Sequence, residues 1–293
     1  MIALETILLP TDFSDCSFQA FSHARDLAEA SGARIHLIHV GDSPKDSSEV
    51  EGHLERLGRE QELPDFCVRA EVGHPAEVLV RLSGQVPEAV MVMSTHGRRG
   101  AGRIVLGSTT EAVVSQAHCP VLTVKRPESC EPTSFPLDRS TREPAPRLHV
   151  QRILVPVDFE SPSRDALAYA VELAGGLRSE ILMVHVLDEP HPDRQRAAWE
   201  FLAELGRRFG VPESCLFIDT GDPAEAIVAL AERKKVDLVI QGTRGRRLLA
   251  GLPLGSTASA VVRRASCAVL TVRGAWRVVP LFEGAEPEPG TPP

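Results

Sequence analysis

Apolar residues fall along this chain in short unbroken bursts, and between the bursts they return only every third or fourth position. Residues 6–9 form one burst, ended by Pro10; Ala20, Ala24, Leu27 and Ala28 then recur at helical spacing before Gly32. Ser14 stands where a helix N-cap belongs and Gly32 where a left-handed C-cap does. The alternation continues with an apolar strand pattern at 35–40, a helical stripe of Val50, Leu54 and Leu57, and a strand at 67–72. A helix opened by Pro75 carries Val78, Leu79 and Leu82, and is followed by a strand at 89–93, a helix with Ala112 and Val113, and a strand at 121–124. The order is βαβαβαβαβ. Near-continuous apolar strands separated by amphipathic helices predict an α/β fold, a doubly wound parallel sheet covered on both faces.

The same pattern is then written a second time. ILLPTDFS at 7–14 aligns with ILVPVDFE at 153–160, and HLIHV at 36–40 with LMVHV at 182–186. VGHPAEVLV at 72–80 falls on TGDPAEAIV at 220–228, and HCPVLTV at 118–124 on SCAVLTV at 266–272, after a drift of two residues. The period is far too long for a solenoid, so the chain is a duplicated domain. The second copy repeats the first helix with Ala166, Ala170, Leu173 and Ala174, with Ser161-Pro162 as its predicted cap and first-turn proline. Domains are expected at 1–126 and 150–274. The segment 127–149 is proline-rich without apolar periodicity, which is linker composition, and 275–293 forms a C-terminal tail. Within that region WRVVPLF at 276–282 is apolar enough to dock, whereas the final ten residues predict disorder.

Composition narrows the function. A net charge of −8 opposes a non-specific nucleic-acid binder, which needs surplus cations to displace phosphate counterions. No window reaches a membrane-spanning apolar length, and Glu5 interrupts the N-terminus where a secretory signal would need a basic and then apolar stretch, so a cytoplasmic protein is expected. The six cysteines form no C-x-x-C pair and read as reduced, mostly buried thiols.

The candidate chemistry lies in STHGRRGAGRIVLGST at 94–109 and GTRGRRLLAGLPLGST at 242–257, each following the fourth strand of its copy. In an open α/β sheet, ligands bind beyond the carboxyl ends of the strands where strand order reverses. The other specialised segment, Pro10, Thr11 and Asp12 with its counterpart Pro156, Val157 and Asp158, also leaves a strand end. If first and fourth strands are neighbours, the segments form two lips of one crevice. Gly97 and Gly107 can adopt positive φ and let backbone N–H groups approach an anion. Ser108 is expected to open a helix as a capping box with Glu111, so that Ser108, Thr109 and the helix N-terminus favour phosphate; Gly255, Ser256 and Thr257 repeat this. Neither a P-loop nor a dinucleotide fingerprint is present. Asp12 and Asp158 read either as turn residues capping the next helix or as ligand contacts. Arg98, Arg99, Arg246 and Arg247 read either as triphosphate contacts or as a solvated loop. His39 and His185 read as satisfied core imidazoles, and the G-x-P turns at 73–75 and 221–223 as helix-start chemistry.

On these residues the chain resembles the ATP-binding branch of the universal stress protein family, in tandem form. That branch carries G-x2-G-x9-G-[S/T], matched by Gly242, Gly245, Gly255 and Ser256, and in the first copy by Gly97, Gly107 and Ser108 with Ser94 replacing the leading glycine. The resemblance implies strand order 3-2-1-4-5 in each half. It also implies Asp12 and Asp158 at the adenine or ribose end, Val40 and Val186 as walls for the base, and the loops, including Thr95 and Thr243, around the phosphates. It further implies that the last strands pair with each other in an intramolecular pseudo-dimer, with association of two chains as a further step. The expected function is an ATP-binding stress-response switch, with Mg held largely by the phosphates and slow or no hydrolysis. No Walker-type carboxylate set or arginine finger is identifiable. An ATPase or adenylating enzyme, and a scaffold without nucleotide, are the alternatives.

Overall fold

The computed structural model describes residues 4–43, 47–95, 106–125, 150–158, 161–243 and 254–273. The linker at 127–149, the tail from 275, and Gly97, Arg98, Arg99, Gly245, Arg246 and Arg247 lie outside the described residues.

The first half runs β1 (Thr6–Pro10), α1 (Asp15–Ser31), β2 (Arg34–Gly41), α2 (Ser47–Glu60), β3 (Phe66–Val72), α3 (Pro75–Gln85), β4 (Ala89–Ser94), α4 (Ser108–Gln116) and β5 (Val121–Val124). The second runs β6 (Arg152–Pro156), α5 (Ser161–Leu177), β7 (Glu180–Leu187), α6 (Pro192–Phe209), β8 (Leu216–Thr220), α7 (Pro223–Arg233), β9 (Leu238–Gly242), α8 (Ser256–Arg264) and β10 (Ala268–Val272). Strand β1 is paired in parallel with β2 on one side and β4 on the other, with Ile7 opposite both Ile35 and Val90. Each half has the order 3-2-1-4-5. The halves join through β5 and β10, antiparallel, with Leu122 opposite Leu270, so that ten strands form one continuous sheet.

The central strands are buried on both faces, which explains their unbroken apolar runs: Ile7, Leu8, Leu9, Ile153, Leu154 and Val155 are all at most 1% exposed. Helix α1 lies over β1, β4 and β5, and α5 over β9, β6 and β10; the two helices meet across the seam. Helices α3 and α4, and likewise α7 and α8, pack together as pairs.

Local signals account for most helix ends. Ser14 caps α1, its Oγ accepting from the Ser17 N–H at 3.2 Å, and Gly32 ends the helix at φ 75°. In the second half α5 begins at Ser161 itself, so Ser161 is the first helical residue and not the expected cap. Ser14 aligns with Glu160, so the capping serine has no counterpart. Gly73 and Gly221 take φ of 135° and 110° immediately before α3 and α7, and Asp222 caps α7 through the Glu225 N–H at 2.9 Å. The five described cysteines are free thiols, and three of them are buried.

Candidate functional site

Strand order reverses beside β1, and again beside β6, placing a crevice at the carboxyl ends of those strands. Pro10 and Pro156 are the half-buried last residues of β1 and β6, and Val40 and Val186 stand half-buried near the ends of β2 and β7. Beyond Pro10 the ladder continues by one bond, from the Thr11 N–H to the Ile38 carbonyl at 2.8 Å; Val157 makes the same bond to Val184 at 2.8 Å. His39 Nδ1 lies 2.9 Å from the Thr11 carbonyl and His185 Nδ1 2.7 Å from that of Val157. A carbonyl only accepts, so Nδ1 carries the proton in both rings and each imidazole braces one strand end against its neighbour.

The lip after β1 is a chain of short-range bonds. Asp12 Oδ1 accepts from the Ser14 N–H at 3.0 Å and from its hydroxyl at 2.5 Å, while Thr11 Oγ1 accepts from the Phe13 N–H at 3.1 Å. Asp12 thereby fills the turn role, and it is half-buried just beyond the carboxyl end of β1. Phe13 adopts φ 61°, a conformation that costs a non-glycine residue about 1–3 kcal/mol. Its ring is buried, with centroids 4.6 Å from His39 and 5.1 Å from His53, which offsets that strain. In the second half the Asp158 N–H donates to Ser163 Oγ at 3.3 Å.

The opposite lip is pinched at its base. Thr95 and Thr243 are buried, each donating its N–H to the end of the last strand, at Val124 and Val272, at 3.0 Å. Their carbonyls accept from the Gly107 N–H at 2.9 Å and the Gly255 N–H at 2.8 Å. A hydrogen bond therefore ties the two ends of each glycine stretch together. Thr110 Oγ1 donates to the Ser94 carbonyl at 2.9 Å, and Gln241 Nε2 to Ala258 at 3.0 Å, mooring α4 and α8 to the strands they follow. Ser108 and Ser256 are exposed at the first helical position, with Thr109 and Thr257 half-buried behind them. The first-turn N–H groups of a helix have no intrahelical acceptor and are available to an anion.

Two expectations require correction. Gly107 and Gly255 have φ of −59° and −65°, ordinary extended backbone, so neither uses the left-handed freedom of glycine. Gly107 is itself the N-cap of α4, and Ser108 is the first helical residue, so the capping box does not form. The reason is the pinch: Gly107 must present its N–H to Thr95, which sets the start of the helix one residue early. Glu111 pairs instead with Arg263 of the second half, at 3.0 Å. Gly242 also has a packing role: a Cβ there would stand 2.7 Å from the Pro162 carbonyl oxygen and 2.9 Å from its carbon, so the start of α5 lies too close for any side chain. The first half carries Ser94 at this position and Cys16 in place of Pro162.

Because β5 and β10 are antiparallel, the two crevices open at opposite ends of the sheet. Helices α4 and α8 run antiparallel beside the seam, each starting at its own crevice and ending toward the other. Lys125 Nζ donates to the Arg263 carbonyl near the end of α8, and Arg273 Nη1 to the Ala117 carbonyl at the end of α4, at 3.1 Å. Burial lowers the Lys125 pKa, with the Cys267 thiol opposing that shift. These contacts between halves were not readable in advance, since nothing in the repeat spacing places Glu111 beside Arg263. The matched Ser-Thr and Gly-Thr pairs at 94–95 and 242–243 could have marked the pinch. Among the described residues no group of three or more His, Cys, Asp or Glu is placed to hold a metal, and no helix is long and apolar enough to cross a membrane.

The family model described as the universal stress protein family matches residues 3–125 and again 149–273. Universal stress protein MJ0531 of Methanocaldococcus jannaschii is 34% identical over 140 residues, covering 42% of this chain and 82% of that protein. Universal stress protein Slr1230 of Synechocystis is 25% identical over 306 residues, covering 92% of this chain and 100% of the relative. A solved universal stress protein from Archaeoglobus fulgidus shares the fold at a TM-score of 0.65 and 22% identity, over 93% of this chain and 98% of that one.

Proposed function

This chain belongs to the universal stress protein family, and from that premise we propose that it is an adenine-nucleotide-binding switch with one ATP site in each half. The domains are taken as 1–126 and 150–274, each carrying one crevice. The observation that carries this reading is the duplicated pinch: Thr95 to Gly107 and Thr243 to Gly255 deliver a glycine-rich stretch and an open helix N-terminus to the same strand ends twice. The phosphates would meet the first-turn N–H groups of α4 and α8 and the hydroxyls of Ser108, Thr109, Ser256 and Thr257. Gly97, Arg98, Gly245 and Arg246 belong to the same stretches. The base would lie between Val40 and the lip of Pro10, Thr11 and Asp12, and in the second half between Val186 and Pro156, Val157 and Asp158. Magnesium would be held by the phosphates and water, with the protein fixing the polyanion. Phosphate release is expected to be slow or absent, and the chain to act through occupancy in the cytoplasm.

The test is isothermal titration of the purified protein with ATP, together with mass analysis of any small molecule released on denaturation. About two nucleotides per chain are expected, with one lost in Gly107→Val and one in Gly255→Val. At φ near −60° the backbone accepts valine, so these variants should fold while their side chains cover the first-turn N–H groups. No binding by the wild type, or two sites retained in the double variant, refutes the reading. Sustained release of phosphate above about one per minute would point to an enzyme instead.

A further inference from the structure

Glu111 is oddly placed for the site just described: it puts a carboxylate in the first turn of α4, the turn offered to a polyanion. The second half avoids the problem with Ser259 at the matching position. The charge is met from across the seam. Arg263 Nη2, near the carboxyl end of α8, lies 3.0 Å from Glu111 Oε1 and 2.6 Å from Ser259 Oγ, so one nitrogen touches the corresponding residues of both helices. Arg263 is held there because Lys125, leaving β5, binds its carbonyl. The first half has Ser115 at the position matching Arg263, so no cation of α4 makes the converse contact across the seam with α8.

We propose that Arg263 is a positioning residue for the first crevice, supplied by the second half, which cancels the Glu111 carboxylate and makes polyphosphate affinity there depend on how α8 sits. This rests on the nucleotide reading above. Helix α8 begins at the second crevice with Ser256 and ends beside the first with Arg263, so occupancy at its N-terminus has a direct mechanical route to the charge at the other site. The coupling runs from second crevice to first through Arg263, and thermodynamic reciprocity requires the same factor in return.

The experiment is ATP and AMP titration of the full chain with the second crevice silenced by Asp158→Ala and Gly255→Val, with and without Arg263→Gln. Arg263 and Glu111 are both partly exposed, so the expected loss of ATP affinity is about two- to fivefold, the size such ion pairs carry. The loss should be smaller for AMP and shrink at high salt, and Glu111→Gln added to Arg263→Gln should restore the affinity of the silenced parent, because the two charges removed are opposite. Glu111→Gln alone should tighten ATP. A merely structural Arg263 would instead lower ATP and AMP affinity alike, regardless of phosphate number, and would not be rescued by Glu111→Gln. Equal loss for AMP and ATP, a double variant no tighter than Arg263→Gln alone, or no loss at all overturns the proposal while leaving the nucleotide reading intact. A wild type without ATP affinity overturns both.

Discussion

Replacing Gly242 by alanine separates two reasons for a glycine at the mouth of the second crevice. If the residue is small for a ligand's sake, the empty protein should tolerate a methyl group. The structure gives another reason: the new Cβ would meet the carbonyl oxygen and carbon of Pro162 at 2.7 and 2.9 Å, where ordinary contact begins at 3.4 Å. These are main-chain atoms at the start of α5, so no rotamer change relieves the clash. The first turn of α5 must move by roughly 0.7 Å against a helix whose next turns hold Ala166, Leu167 and Ala170 fully buried. Overpacking of this kind costs about 1–3 kcal/mol. Urea unfolding without nucleotide, followed by circular dichroism, should show a lowered midpoint with an unchanged slope. Pro162→Ala added to Gly242→Ala should recover little, because the proline ring is not the main obstacle. An unfolding midpoint equal to wild type would refute the packing argument and return Gly242 to the ligand alone.

Two further outcomes are expected. Burial lowers the His23 pKa from 6.5 to about 4, outweighing the bond to Gln19 that raises it, so the folded state favours the neutral ring. Stability from this group is therefore full above pH 6.5 and falls as pH drops toward 4, by at most about 3 kcal/mol, because the unfolded chain takes up the proton first. His23→Gln should flatten that part of a pH series of thermal midpoints, and an unchanged slope would contradict the assignment. Ser14→Ala removes the α1 cap and one of two bonds to Asp12, costing about 0.5–2 kcal/mol by chemical denaturation. The second half has no serine to lose at this position, so a loss below a few tenths would show that the Asx turn alone suffices.

Much of the fold is legible wherever a local cause decides the outcome. Burial on both sheet faces writes itself as uninterrupted runs such as 6–9 and 153–155, and cap chemistry at Ser14, Gly32 and Asp222 is where the pattern places it. The strand order that the family resemblance implies puts the ends of the first and fourth strands side by side, and β1 does pair with β4. Where the structure departs, a distant partner competes with a local motif. Ser108 to Glu111 spells a capping box, but the buried Thr95 carbonyl claims the Gly107 N–H and Arg263 claims the glutamate. Glycine conformation is equally hard to read: Gly73 and Gly221 need positive φ, while Gly242 is small because a neighbouring helix is close. Periodicity carries no information about either kind of constraint.

The single bond closing each glycine stretch, Thr95 to Gly107 and Thr243 to Gly255, has a bearing on how such a chain can vary. The bond fixes the end of the fourth strand and the start of the following helix relative to each other, and the leucine just before each glycine, Leu106 or Leu254, packs into or against the core. The two copies in this chain have kept the bond and the leucine before it and changed most of the residues between: GRRGAGRIVL in one, GRRLLAGLPL in the other. A duplicated gene could thus retune one mouth for a different anion while its twin stayed as it was, provided the leucine that packs against the core is kept.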